Sequence, residues 1–369
     1  MLVALLVGAL AAAGSAAPGT PGPQPSLFGI NTGTFDKSNA RYALDTPNAK
    51  KLGARWVHFT GDSMRFAAGK PNFKIQDSLV NQALREHLGV LLSLGTDPGA
   101  CAAVLTHCPP TNLTAYDGYL KNVLLHYRGR VQWFESWVEP NHASMWAPAP
   151  DPTAYAQLLG NEYTVFQQVN ARYGMDDKLL FAGIGGSDLG YLDQVLTALG
   201  GKKPFDAVAY HAYRFPPDDP ATPNYAISFP GGGHPKLTWV QELTDYENEF
   251  TSHGYGTPDM WLTEFGWPGA SVADGCGGDT STEQDQATFL NEAYQDLGQL
   301  TFVKAAFYFN LRDYLTGVAN PDPTCFAHYG LMTTSFKLKP AGRVFKAAAH
   351  SAGGRSGPDR ARETAPPGP

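Results

Sequence analysis

LLFAGIGGSDLG, residues 179 to 190, is a short apolar run that ends in closely spaced glycines, the pattern of a buried parallel strand in an α/β protein. Those glycines separate two architectures. An open, doubly wound sheet would carry GxGxxG, but Asp188 stands where the third glycine belongs. A serine nucleophile elbow would need glycine at 189, and Leu189 is there instead. GIGG therefore reads as the close-packed end of a strand, and the closed barrel is favoured over other α/β forms.

Working outward, similar apolar runs recur as SLFGINTG (26–33), ARWVHFT (54–60), GVLLSLG (89–95), VQWFESWVEP (131–140), FDAVAYHAY (205–213), DMWLTEFGWP (259–268) and FVKAAFYFN (302–310). Amphipathic stretches such as TAYDGYLKNVLLHYRG and EQDQATFLNEAYQDLGQL separate them. Strands alternating with helices pair in parallel, and eight such units over residues 26–350 predict a single (β/α)8 TIM barrel.

The flanks read differently. Residues 2–13, LVALLVGALAAA, are too short to span a bilayer and run into small residues, so 1–17 is expected to be an export signal although a basic n-region is missing. Residues 18–25 form a short linker, and 351–369, rich in Gly, Pro, Arg and Ser, are expected to be a disordered tail. Export to an oxidising space suits disulfides. Cys101 with Cys108 closes a short loop free of other cysteines, which leaves Cys276 for Cys325. The expected location is secreted or extracytoplasmic, with no membrane span.

With 43% hydrophobic and 17% charged residues the chain suits a globular domain with a sizeable core. A net charge of −7 without a basic cluster excludes a nucleic-acid partner. A neutral or weakly charged substrate fits better. No CxxC or HExxH spacing occurs, so no metal site is expected. A monomer is the default, since one compact barrel needs no partner for stability.

In such a barrel the site lies at the C-terminal ends of the strands. Glu139 closes the fourth strand and Glu264 lies near the end of the seventh, each in an aromatic-rich apolar run where an unpaired carboxylate is costly. Two such acids can divide the work between a proton donor with a raised pKa and an ionised nucleophile.

Here the chain resembles a known group. SWVEPNHASMWAPAPDPTAYAQLL (136–159) is similar to the acid/base segment of clan A glycoside hydrolases, most closely the family 39-like bacterial β-glycosidases, whose motif is WNEPN. WLTEFGWP (261–268) resembles their nucleophile strand, and AYHAY, FYFNLRDY and HYGLMTTSFKLKPAGRVF extend the likeness over the mature chain. The resemblance implies a retaining hydrolase of a poly- or oligosaccharide, with Glu139 as general acid/base and Glu264 as nucleophile. It also implies His211 near the nucleophile. Tyr213 follows on the same strand face, and Trp137, Trp146 and Trp267 are candidate sugar platforms. Arg312 and Asp313 are expected to pair and hold the eighth loop.

Two positions depart from the pattern. Val138 replaces the asparagine that bonds the sugar hydroxyl at carbon 2, and His58 stands where an arginine is common on the second strand. Losing one such hydrogen bond costs about 2.7–4 kcal/mol in a preorganised site. The alternative to an active hydrolase is thus a catalytically weakened carbohydrate-binding or cell-wall interaction protein on the same scaffold. Substrate identity and exo or endo action are not legible; the segment from Arg214 to Lys236 is expected to shape one side of the cleft.

Overall fold

The computed structural model describes residues 26–32, 39–59, 66–67, 70–94, 107–214, 220–221, 224–225, 236–270, 281–314 and 326–354. The expected signal and linker, Cys101, Cys276, Cys325, most of the 214–236 segment and residues 355–369 lie outside these. Cys108 is the one cysteine within them and is disulfide-bonded.

Eight parallel strands close into a barrel: β1 (Gly29–Asn31), β2 (Trp56–Phe59), β3 (Gly89–Ser93), β4 (Trp133–Glu135), β5 (Lys178–Gly185), β6 (Ala207–His211), β7 (Met260–Phe265) and β8 (Val303–Tyr308), with β1 paired to both β2 and β8. Seven fall inside the runs expected from sequence, and β5 starts one residue earlier, at Lys178. Eight helices alternate with them: α1 (Asn39–Leu52), α2 (Lys74–Arg85), α3 (Leu113–Tyr127), α4 (Pro152–Tyr173), α5 (Leu189–Leu199), α6 (Trp239–Ser252), α7 (Glu283–Leu297) and α8 (Pro340–Gly354). The fold is the (β/α)8 barrel. Helix α8 extends four residues into the stretch expected as tail.

Local chemistry sets the helix ends. Asp151 caps α4 by accepting from Ala154 N–H, with Pro152 following and Gly174 closing the helix in the left-handed conformation. Thr238 with Gln241, and Thr282 with Asp285, form capping boxes on α6 and α7. Asp188, the residue that broke the dinucleotide pattern, caps α5 through Tyr191 N–H.

The period-2 alternation of each strand divides the interior. Outward side chains such as Val57, Phe59, Leu92, Phe134, Val208 and Leu262 join the helices in the main core. Inward ones build upward in layers. The floor is apolar and aromatic: Trp56, Trp133, Trp261 and Phe307, with Trp56 edge-on to Trp261 at 5.4 Å between ring centroids. Above them, His58, Ser93, Glu135, His211 and Thr263 make a fully buried polar layer. The aromatic floor seals one end, so the polar layer opens only toward the C-terminal face.

The loop after β8 is held differently from expectation. Arg312 does not pair with Asp313; it binds Asp45 of α1 at 2.9 Å, while Asp313 takes Lys339 at 3.0 Å. Adjacent residues on an extended segment point to opposite sides, so each found its own partner.

Truncating the floor should be expensive: Trp261→Ala is expected to lower unfolding free energy by about 3–5 kcal/mol, against under about 0.5 kcal/mol for the exposed Leu44→Ala, measured by denaturant titration.

Candidate active site

Neighbouring strand ends place the site residues in one row. Gly185 of β5 pairs with His211 of β6, which pairs with Glu264 of β7, and Val138 bridges Gly183. Beyond β4 the chain turns, with Glu139 at φ 45°, a left-handed conformation that costs a non-glycine residue about 1 kcal/mol. Surrounding bonds hold it there. Glu139 N–H donates to Gly183 O at 2.9 Å, and the Asn141 side chain both accepts from Gly185 N–H at 3.0 Å and donates to Gly185 O at 2.9 Å. The Asn of EPN thus clamps the β4 loop to the end of β5.

The GIGG glycines have a steric reason. A Cβ on Gly183 would lie 2.3 Å from the His211 ring, and one on Gly185 would lie 3.0 Å from the Glu139 carboxyl carbon. The two glycines make the space that His211 and Glu139 occupy.

His211 is fully buried and joins the two acids: its Nδ1 donates to Glu139 Oε1 at 2.8 Å and lies 3.7 Å from Glu264 Oε2. Tyr213 donates to Glu264 Oε2 at 2.8 Å. One oxygen of each glutamate and the His211 nitrogen lie within 4.8 Å of one another. The glutamate side chains keep 19% and 11% of their surface open to solvent, enough for a ligand to reach them.

Burial opposes an imidazolium at His211, but the charges of Glu264, Glu139 and Glu135 outweigh it and carry the ring up to about 9. Burial likewise opposes the Glu139 charge, yet the His211 hydrogen bond and the His211 and His142 charges hold that carboxyl below its usual range. Glu264 is pushed upward by burial and by Glu139, against His211, His58 and Tyr213. This ordering differs from the sequence expectation of a raised Glu139, because His211 bonds to Glu139 rather than Glu264. A second group of three, Asp193, Glu249 and His253, sits at the surface of α5 and the end of α6.

The tryptophans do not offer platforms. Trp137, Trp146 and Trp267 expose only 1%, 2% and 1% of their surface. Trp137 packs edge-on against Trp146 and donates to Met145 O, and Trp267 packs against Trp239, Phe265 and Phe289. Flat rings fill the gaps between barrel and helices as readily as they stack on sugars, and sequence alone does not separate the two. His58 is also fully buried beneath the site, whereas Val138, half-buried beside Glu139, remains at its rim.

Two further buried acids close to β4 escaped the sequence reading. Glu135, inward-facing on β4, accepts from Ser93 Oγ at 2.7 Å, Thr263 Oγ1 at 2.9 Å and Gly183 N–H at 3.1 Å. Glu162 of α4 lies behind β4, hydrogen-bonded to Ser136 and, at 2.9 Å, to Tyr116. A lone acid in an apolar strand was the signal that singled out Glu139, and it applies equally to Glu135.

Burial lifts Glu162 to about 8 against its two hydrogen bonds. The native state therefore retains a proton that the unfolded chain releases near 4.5, so the stability from this group is complete below about pH 4.5 and is lost as pH rises through about 8. Unfolding free energy should fall between pH 5 and 8.5, and Glu162→Gln should flatten that decline by a few kcal/mol; an unchanged slope would contradict the assignment.

No protein-family model matches the chain, and no curated protein matches it. Solved structures do. A family 39 glycoside hydrolase from the gut symbiont Bacteroides cellulosilyticus superposes with a TM-score of 0.67 at 20% identity, covering 89% of this chain and 64% of that one. A family 39 enzyme from Xanthomonas axonopodis pv. citri gives 0.65 at 17% identity, over 88% and 66%, and a monomeric β-xylosidase from Caulobacter crescentus gives 0.63 at 17%, over 88% and 68%. The chain thus spans just under two thirds of the length of the first two. What it shares with them is the fold, the (β/α)8 barrel.

Proposed function

We propose that this protein is a retaining glycoside hydrolase that cleaves β-glycosidic bonds of a poly- or oligosaccharide, with Glu139 as general acid/base and Glu264 as nucleophile. The observation that carries this is the pair of partly open glutamates at the C-terminal ends of β4 and β7, with oxygens within 4.8 Å. So close an approach of two oxygens suits the roughly 5–5.5 Å between carboxyl groups in double displacement.

Glu264 attacks the anomeric carbon while Glu139 gives a proton to the leaving oxygen, which forms a glycosyl ester. Glu139 then takes a proton from the water that opens the ester, and the sugar leaves with its configuration retained. On this reading the proton for the leaving group comes from His211 Nδ1, 2.8 Å from Glu139 Oε1. Moving it across that bond makes the acid without changing the number of protons in the site. Tyr213 fixes the oxygen of Glu264 to which it donates. The chemistry calls for no metal or organic cofactor.

Export by residues 1–17, with Cys101–Cys108 and Cys276–Cys325 disulfides, completes the reading as an extracytoplasmic enzyme acting on carbohydrate. Val138 favours a second reading: without a donor there, the groove holds a sugar but turns it over slowly, as a carbohydrate-binding protein would.

Azide rescue distinguishes these. Glu264→Ala should lose activity on aryl β-glycosides by at least about 1000-fold and regain it with azide as an α-glycosyl azide, while Glu139→Ala should give a β-glycosyl azide. Rescue with the opposite stereochemistry would exchange the roles. Sugar binding by a wild type inactive across the panel would establish the binding protein.

A further inference from the structure

Beneath the two glutamates the charges alternate along the barrel axis. Glu135 is fully buried, and its Oε2 lies 3.1 Å from His58 Nε2. Both ring nitrogens of His58 face acceptors, Nδ1 toward Thr263 O at 3.2 Å and Nε2 toward Ser93 Oγ at 2.7 Å, whose own proton goes to Glu135. On the other side, Glu135 Oε1 lies 4.0 Å from His211 Nε2, a buried nitrogen that makes no hydrogen bond. Gly183 lets this approach happen, because any side chain there would occupy the space of the His211 ring.

Donors from three strands converge on Glu135, which is how a protein keeps a buried carboxylate ionised. An ionised group there has one evident consequence above it. We propose that Glu135 is a positioning residue that keeps the His211 ring doubly protonated between the two glutamates, so that His211 can orient Glu139 and allow Glu264 to be ionised as the nucleophile. The catalytic part of this rests on the reading of Glu139 and Glu264 given above; the part concerning His211 does not.

The charge state of Glu135 agrees: burial opposes its ionisation, but His58, His211 and Ser93 hold the carboxyl below its usual range. The groups that face His211 are Glu135 and Glu139 from β4 and its loop, Glu264 from β7 and Tyr213 beyond its own strand; His58 acts across Glu135 and His142 across Glu139. From β5, Gly183 and Gly185 contribute no side chain. Glu139 and Glu264 take part in the chemistry, which leaves Glu135 as the anion that stays fixed.

The test is the titration of His211 in the intact protein by nitrogen-15 NMR, with its signals assigned by their loss in His211→Asn. In the wild type both ring nitrogens should show imidazolium shifts at pH 7, with a midpoint near 9. Glu135→Gln should lower that midpoint by one unit or more, as expected for removing a charge about 4 Å away at intermediate dielectric. On an aryl glycoside the same variant should lose roughly 10- to 100-fold in kcat with KM little changed, and the alkaline limb of its pH profile should move down with the NMR midpoint.

A folded Glu135→Gln variant with an unshifted His211 midpoint would overturn the proposal. If that variant does not fold, Glu135→Asp, which draws the charge back from His211, decides: a lowered midpoint would uphold the proposal, and an unshifted midpoint or a singly protonated wild-type ring at pH 7 would overturn it. A wild type that hydrolyses no glycoside would end the hydrolase reading, while the NMR arm would still decide the role of Glu135.

Discussion

Three carboxylates, Glu135, Glu139 and Glu264, surround one imidazole at the centre of this barrel, and their mutual repulsion in a nearly dry interior is the constraint the site is built around. His211 answers it by standing between them. Its approach to each acid fixes what the neighbouring strands must provide. β5 contributes glycines where a side chain would collide with the ring or with Glu139, β3 and β7 contribute the hydroxyls of Ser93 and Thr263, and the β4 loop adopts a left-handed turn to bring Glu139 within reach.

The layered interior explains why such a charge network is tolerated. The aromatic floor of Trp56, Trp133, Trp261 and Phe307 closes the barrel beneath it, and every buried carboxylate oxygen of Glu135 has a donor. Stability is concentrated at the floor and in the helix shell, and the open face is left for chemistry, the division of labour general to this fold.

Much of this was legible in the sequence. The eight strands followed from short apolar runs separated by amphipathic stretches, and the failure of GIGGSDLG to match either glycine motif pointed to the barrel; Asp188, the residue that broke the motif, turned out to cap a helix. Glu139, Glu264, His211 and Tyr213 came together as the strand ends predict. Other features were hidden. A buried tryptophan and a sugar-stacking one have the same composition signal, so the burial of Trp137, Trp146 and Trp267 was not legible. Glu135 was passed over although alternation from Trp133 places it inward. The pKa ordering of the two acids depends on which one His211 bonds to, a distance of about an ångström that no sequence pattern encodes.

The assignment of Glu264 as the nucleophile is tested most directly by trapping the glycosyl-enzyme. A panel of 2-deoxy-2-fluoro β-glycosides with dinitrophenolate leaving groups, followed by mass spectrometry of the intact and digested protein, reads out which side chain has been esterified. One sugar added per chain, located at Glu264, is the result this account predicts. A sugar located at Glu139, or turnover with inverted product and no covalent adduct, would contradict it.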